Sequence, residues 1–136
     1  MRFTDAKLER ESIRDKFDLL LGITAEFEVI IDDRLLYREL LFPIVELRAQ
    51  LELWLEASLP RGEDFEFQSM ESDEPGFLWF RFQEKNRWRI GSIYQEYPEL
   101  RTLTDEDISN IINKFIHTVD AWVQQECHIE ISEYLR

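Results

Sequence analysis

Hydrophobic and polar residues alternate with a period of two from Ile23 to Ile31. This period predicts a strand with one side in the core and the other in water. The turn-forming sequence Asp32–Asp33–Arg34 follows, and then the apolar segment Leu35 to Arg38. We therefore predict a β-hairpin at this point in the chain.

Three other segments carry apolar residues at the three- and four-residue spacing of a helix. Residues 5 to about 21 predict a first helix, for which an added strand is the alternative. A second helix begins at Pro43, which suits a first helical turn, and ends before the segment Leu59 to Gly62. A third begins at the capping residue Thr104 and runs for about five turns. The tail from Cys127 to Arg136 either extends this helix or forms a short strand.

Between the second and third helices the pattern predicts three strands in succession. Phe65 and Phe67 alternate with polar residues, and the segments Phe77 to Gln83 and Arg87 to Gln95 follow with only Glu84 to Asn86 between them. Short connections of this kind favour an antiparallel meander. We therefore expect residues 1–136 to form one α+β domain. Its antiparallel sheet has about five strands, namely the hairpin plus the meander, packed against two or three helices.

The composition indicates which kind of partner the domain binds. The chain contains 29 acidic and 16 basic residues, which gives a net charge of −13. Nucleic acids and anionic membranes need a basic surface, so we expect neither as a direct partner. A negative field attracts basic proteins and accelerates their association. An acidic surface that serves only solubility is the alternative.

The acidic residues are concentrated in two segments. Residues 63–74 contain six acidic and no basic residues, and residues 96–136 contain nine acidic and three basic residues. An antiparallel meander brings the turn before its second strand and the end of its third strand to the same edge of the sheet. We therefore predict that five carboxylates meet at one rim of the sheet: Glu71, Asp73, Glu74, Glu96 and Glu99.

Two aromatic residues are candidate anchors for a partner at this rim. Trp79 falls on the outward side of its predicted strand, and Tyr97 lies between the two glutamates of the second segment. Trp and Tyr are enriched among residues that dominate binding energy. Two alternatives remain at this stage: the rim consists of ordinary solvated loops, or the first helix covers Trp79.

The sequence offers no catalytic, metal or cofactor motif. His117 lies off the apolar stripe of the third helix, and Cys127 and His128 are adjacent, which does not suit a nucleophile and its base. Neither a zinc-ligand spacing nor a glycine-rich phosphate loop occurs. We expect a binding protein rather than an enzyme, with no metal and no cofactor.

The single cysteine, the charged N-terminal segment and the lack of a long apolar run indicate a cytoplasmic protein. Three segments, Phe42 to Leu47, Ser69 to Gly76 and Trp88 to Ile93, resemble small acidic bacterial immunity-type proteins that accompany polymorphic toxins. The likeness covers most of residues 23–125. It implies a tight one-to-one complex with a cognate toxin domain, often a basic nuclease, whose active site or substrate surface is blocked. The alternative is a protein-interaction subunit that forms a homodimer through the arginine-bearing sheet face.

Overall fold

The computed structural model describes residues 1–9 and 12–135. Over these residues the chain forms six strands, four α-helices and a short 3₁₀ turn at Leu59–Arg61. The elements, in chain order, are β1 (Arg2–Leu8), α1 (Lys16–Gly22), β2 (Ile23–Ile31), β3 (Arg34–Phe42), α2 (Ile44–Ala57), β4 (Phe65–Glu66), β5 (Trp79–Glu84), β6 (Arg87–Gly91), α3 (Asp105–Cys127) and α4 (Ile131–Tyr134). The predicted α+β class is confirmed.

The strands of the described residues form two antiparallel three-stranded sheets, with the orders β1-β2-β3 and β4-β5-β6. The predicted hairpin is the β2–β3 pair, whose turn residues Asp32 and Asp33 both have positive φ, as in a type I′ turn. The predicted meander is the second sheet. The single sheet of about five strands was not exact. The hairpin gains β1 as a third strand, and the meander stays a separate sheet.

The N-terminal segment differs from the predicted helix over residues 5 to about 21. Residues Arg2–Leu8 form a strand that pairs with β2, and only Lys16–Gly22 are helical. The register of β1 shifts between Thr4 and Lys7, and Asp5 has a φ of 54°. This bulge interrupts the two-residue period and so concealed the strand. Part of the predicted helix, residues 10 and 11, lies outside the described residues.

Both sheets contribute to one buried cluster of apolar side chains. The ring of Phe42 from β3 lies 5.1 Å from that of Phe67, which follows β4. Trp54 of α2 contacts the rings of Phe80 and Trp88 in the second sheet. Helix α2 therefore packs between the two sheets and fixes their relative position.

Helix α3 begins directly after the predicted capping residue Thr104, but its 23 residues make more than six turns and not the predicted five or so. Thr104 and Asp107 form a reciprocal capping box, and the buried stripe follows the helical period. The stripe consists of Ile108, Ile112, Phe115, Val119 and Val123. The helix ends at Cys127 because His128 takes a left-handed conformation, and the tail then forms α4. Within the described residues, no helix is both long enough and apolar enough to span a membrane.

Candidate functional site: an acidic surface beside the second sheet

The loop between β4 and β5 carries Glu71, Asp73 and Glu74, and all three side chains are exposed. Helix α2 holds the start of this loop. The buried carboxylate of Glu46 accepts hydrogen bonds from Ser69 Oγ at 2.6 Å and from the Met70 amide at 2.8 Å. Burying a carboxylate costs less free energy when its oxygens accept hydrogen bonds, as they do here. The three exposed acids therefore extend from a backbone fixed by a helix.

Gln50, one helical turn after Glu46, supplies a second attachment. Its side-chain amide donates to the Gln68 carbonyl oxygen at 2.7 Å and accepts from the Gln68 amide at 3.3 Å. This pair of bonds reproduces the pairing that a neighbouring strand would provide. The loop is consequently bound to α2 at Gln68, Ser69 and Met70.

The chain after β6 lies against the far end of the same loop. The Ile93 amide donates to the Gly76 carbonyl oxygen at 2.9 Å, and the ring of Tyr94 packs on that of Phe77 with 5.6 Å between centroids. The Tyr94 hydroxyl donates to the Glu74 carboxylate. The structure thus brings the predicted acidic turn next to the segment that follows the meander, as antiparallel geometry requires.

Glu96 and a residue that sequence reasoning missed, Glu39, flank this region. The Glu96 side chain is exposed, and its backbone amide donates to the Leu36 carbonyl oxygen of β3 at 2.7 Å. Glu39 lies farther along β3, where its carboxylate accepts from the Tyr37 hydroxyl at 3.4 Å. The alternation of the strands gave little signal for Glu39, because hydrophobic and polar residues do not alternate regularly from Leu35 to Phe42 and the register of the β2–β3 pair shifts along this segment.

Two tyrosines of this region have raised pKa values. The hydrogen bond to Glu74 and, to a lesser extent, desolvation and nearby carboxylates raise the pKa of Tyr94. Burial first, and then the charge of Glu39, raise the pKa of Tyr37. Both phenols are protonated at neutral pH, as ordinary tyrosines are, and they donate hydrogen bonds to Glu39 and Glu74.

Glu99 was predicted to belong to the rim, and the structure corrects this. Its side chain is only 4% exposed and forms a two-pronged ion pair with Arg101, with Oε1 to Nε at 2.7 Å and Oε2 to Nη2 at 2.8 Å. These hydrogen bonds lower the pKa of Glu99 to about 2. Arg101 also pairs with Asp32 in the β2–β3 turn. Glu99 therefore has a structural cation partner and presents no free charge.

The two predicted aromatic anchors are also covered. The indole of Trp79 is 6% exposed; it lies over Gly91 of β6 and beneath the guanidinium of Arg81, whose Cζ is 3.9 Å from the ring centroid. Trp79 does face outward, but Arg81 covers it in place of the first helix. Tyr97 is half-buried, with Arg34 Cζ 3.5 Å above its ring. Neither ring is a free anchor.

We define the acidic surface by the five exposed or half-exposed carboxylates that remain: Glu39, Glu71, Asp73, Glu74 and Glu96. Within residues 1–9 and 12–135, none of them lies within 4 Å of a lysine or arginine nitrogen. Other described acids pair with such cations, for example Glu26 with Arg38 and Asp120 with Arg48. Exposed acids elsewhere, such as Glu56, Glu84 and Glu126, also have no such partner among the described residues, so the lack of a cation alone does not distinguish the acidic surface.

Apolar side chains are exposed among these carboxylates. Leu41 is 66%, Met70 54% and Tyr94 52% exposed. Met70 shares a shallow depression with Asp73, and Leu41 lines a deeper cleft with Glu39 and Glu71. Leu53 on α2 and Leu100 are at least as exposed, so the candidate site rests on the combination of these apolar groups with the cleft and the carboxylates rather than on exposure alone. Periodicity does not predict the exposure of these two side chains, because Leu41 lies in the apolar run Leu40 to Phe42 at the end of β3 and Met70 lies in the loop.

The histidines and the cysteine lie away from this surface. His117 is exposed on α3, and Cys127 and His128 are at the C-terminal end of that helix. Burial, with a smaller contribution from the charge of Glu126, raises the pKa of the Cys127 thiol, which makes it a weak nucleophile at neutral pH. In the described part of the chain, no three His, Cys, Asp or Glu side chains come close enough to hold a metal ion.

Comparison with known proteins gives a family for the chain. The family model described as a domain of unknown function, DUF7878, matches residues 1–125. The chain therefore belongs to this family. No curated protein and no solved structure matches the chain.

Proposed function

We propose that this member of the DUF7878 family is an immunity-type inhibitor, which neutralises a basic toxin domain by binding it with the acidic surface. The observation that supports this is the group of five carboxylates without a described cation partner, which surround exposed apolar side chains. Such a surface needs a cationic partner to neutralise its charge and to cover its apolar groups.

The carboxylates raise the association rate, and the apolar groups lower the dissociation rate. A concentrated negative field raises the rate at which a basic protein arrives in the correct orientation. Desolvation of Leu41, Met70 and Tyr94 then slows dissociation. If the partner is a nuclease, the carboxylates occupy the positions where its cationic cleft receives phosphates, so binding and inhibition are the same event.

The attachment of the loop to α2 preorganises this surface for binding. Glu46 and Gln50 hold the backbone at Gln68 to Met70 in the free protein. Less conformational entropy is lost when a preorganised surface binds. The proposed role involves no catalysis. We expect the complex to form in the cytoplasm, because a chain with one cysteine needs no oxidising compartment.

The test is to co-express the chain with the polypeptide encoded immediately upstream of its gene, and to purify the pair by size-exclusion chromatography. The triple variant Glu71→Gln, Asp73→Asn, Glu74→Gln should lower the association rate constant by about tenfold or more at low salt. A matched control neutralises three exposed acids elsewhere, Glu56, Glu84 and Glu126, and should leave the rate within about twofold.

The outcomes separate the alternatives. Absence of a complex, or failure of the chain to protect cells from the upstream polypeptide, rejects the immunity-type function. Equal effects of the two triple variants show that only net charge matters and reject the acidic surface as the binding site. A dimer of the chain alone in light scattering, disrupted by changes on the Trp79 and Arg81 face, supports the alternative of a homodimeric interaction subunit.

A further inference from the structure

A cleft of about 290 Å³ opens between the end of β3 and the loop that carries Glu71. Two carboxylates line it from opposite elements, Glu39 from β3 and Glu71 from the loop. Leu41 and Phe77 supply part of its apolar wall. Ser69 and Ser72 also line it, but their hydroxyls already hydrogen-bond to Glu46 and to the backbone of the loop. The cleft thus combines negative charge with apolar surface in a space at the lower end of small-ligand sites, which span about 300–1,000 Å³.

The lining restricts what can occupy this cleft. No lysine or arginine is among its lining residues in the described chain, so an anionic occupant meets only repulsion. A purely apolar occupant would remove water from Glu39 and Glu71 and give them no counter-charge, which is costly. A long side chain with an aliphatic stem and a cationic head satisfies the apolar wall and both carboxylates together.

Arginine fits this lining better than lysine. Its planar guanidinium has five donors, which can serve two carboxylates simultaneously, and it is less strongly hydrated than an ammonium group. It also stacks on aromatic rings such as that of Phe77. We propose that the cleft is a recognition pocket for one arginine side chain of the basic partner. This assignment rests on the binding function proposed above and identifies the chemistry that the surface recognises.

The pocket can be tested without a partner protein. Nα-acetyl-arginine N-methylamide is titrated into the ¹⁵N-labelled full chain, and the citrulline derivative, a neutral compound of nearly the same shape, is titrated in parallel. We expect saturable shifts of the amides of Glu39, Leu41, Ser69 and Phe77 with the arginine compound. The citrulline compound should bind at least about tenfold more weakly, because it cannot form charge-assisted hydrogen bonds.

Two variants assign the effect to the two carboxylates. Glu39→Gln and Glu71→Gln should each weaken arginine binding by about threefold to tenfold, whereas Glu56→Gln, at an exposed site on α2, should not change it. Retention of the wild-type amide spectrum away from the cleft shows that each variant is folded. Nα-acetyl-lysine N-methylamide is titrated in the same way. Equal binding of the citrulline compound, shifts outside the cleft only, or tighter binding of the lysine compound would each overturn the arginine assignment.

Failure here is distinguishable from failure of the proposed function. If arginine does not bind the cleft but the loop triple variant still slows association with the upstream polypeptide, the acidic surface binds its partner and the arginine pocket is wrong. If arginine binds but no partner complex forms, the pocket stands as a cation site and the immunity-type function is wrong.

Discussion

The hydroxyl of Ser69 donates a hydrogen bond to the buried carboxylate of Glu46, with 2.6 Å between Oγ and Oε1. The same carboxylate accepts from the Met70 amide, and Ser69 Oγ in turn accepts from the Glu71 amide at 3.2 Å. One glutamate in the first turn of α2 thus fixes the backbone from which the exposed acids of the acidic surface extend. The position of the acidic surface therefore depends on a residue that does not belong to it.

Replacement of Glu46 should therefore loosen the loop. Glu46→Ala leaves the Ser69 hydroxyl and the Met70 amide without an acceptor, and we expect the free energy of unfolding to fall by about 2–3 kcal/mol. Urea denaturation measures this loss, and hydrogen exchange at the Met70 amide should become faster. Glu52→Ala, whose half-exposed carboxylate pairs with Arg48 on the same helix, is the control and should not change exchange at Met70. Unchanged exchange in Glu46→Ala would show that the loop is held by other contacts.

The sequence predicted elements whose periodicity is complete within one segment. Strand β2 alternates over nine residues, and α3 keeps its stripe over 23 residues and begins at a capping box. Both patterns record local contacts with the core, so one segment contains the whole signal. Strand β1 was predicted only as the alternative to a helix, because the bulge after Thr4 breaks the alternation and because pairing with β2 is a contact between distant residues.

The location of the acidic surface was predicted, but the set of carboxylates that belong to it was not. Antiparallel connectivity placed Glu71, Asp73 and Glu74 at one edge, and the structure puts them there. Whether a carboxylate is free depends on side-chain partners that periodicity does not report. Glu99 had a readable signal, since side chains two apart on an extended chain point the same way and Arg101 is two residues away. The cover over Trp79 had the same signal, because Arg81 is two residues farther along β5.

The ion pair of Glu99 with Arg101 should appear in the pH dependence of stability. Hydrogen bonds from Arg101 lower the pKa of Glu99 from 4.5 to about 2 in the folded chain. A carboxyl group with a lowered folded pKa adds stability above its unfolded pKa and loses it as the pH falls through the folded value. Relative to Glu99→Gln, wild-type stability should therefore decline between about pH 4.5 and pH 2. Urea denaturation across this range checks it, and a constant difference between the two proteins would contradict it.

The contact of Trp79 with Gly91 predicts a steric penalty. A Cβ at position 91 would overlap the indole of Trp79 and the side chain of Gln95. We expect Gly91→Ala to lower the free energy of unfolding by about 1–3 kcal/mol, the range typical of overpacking. Thermal denaturation measures the change. The double variant Gly91→Ala, Trp79→Leu should lose less stability than the two single changes combined, whereas simple additivity would show that the indole is not the obstacle.

The hydrogen bond from Tyr94 to Glu74 predicts how the phenol titrates. The pKa of Tyr94 is raised above its ordinary value of 10.0, first by this bond. In the variant Glu74→Gln the pKa should return toward 10, because a neutral acceptor favours the protonated phenol less. Absorbance near 295 nm follows phenolate formation, and subtraction of the Tyr94→Phe curve isolates this residue. A titration that is identical in wild type and Glu74→Gln would exclude the bond in solution.

The exposed leucine of the cleft should affect binding without affecting stability. Leu41 is 66% exposed, so Leu41→Ala should change the free energy of unfolding by no more than about 0.5 kcal/mol. In a complex the same side chain is covered, and its loss should raise the dissociation rate of the co-purified partner by about tenfold. Leu53 of α2 is 70% exposed and lies outside the acidic surface, so Leu53→Ala is the matched control and should change neither quantity. Surface plasmon resonance on the folded variants measures the dissociation rates, and equal rates for the two leucine variants would place the interface elsewhere.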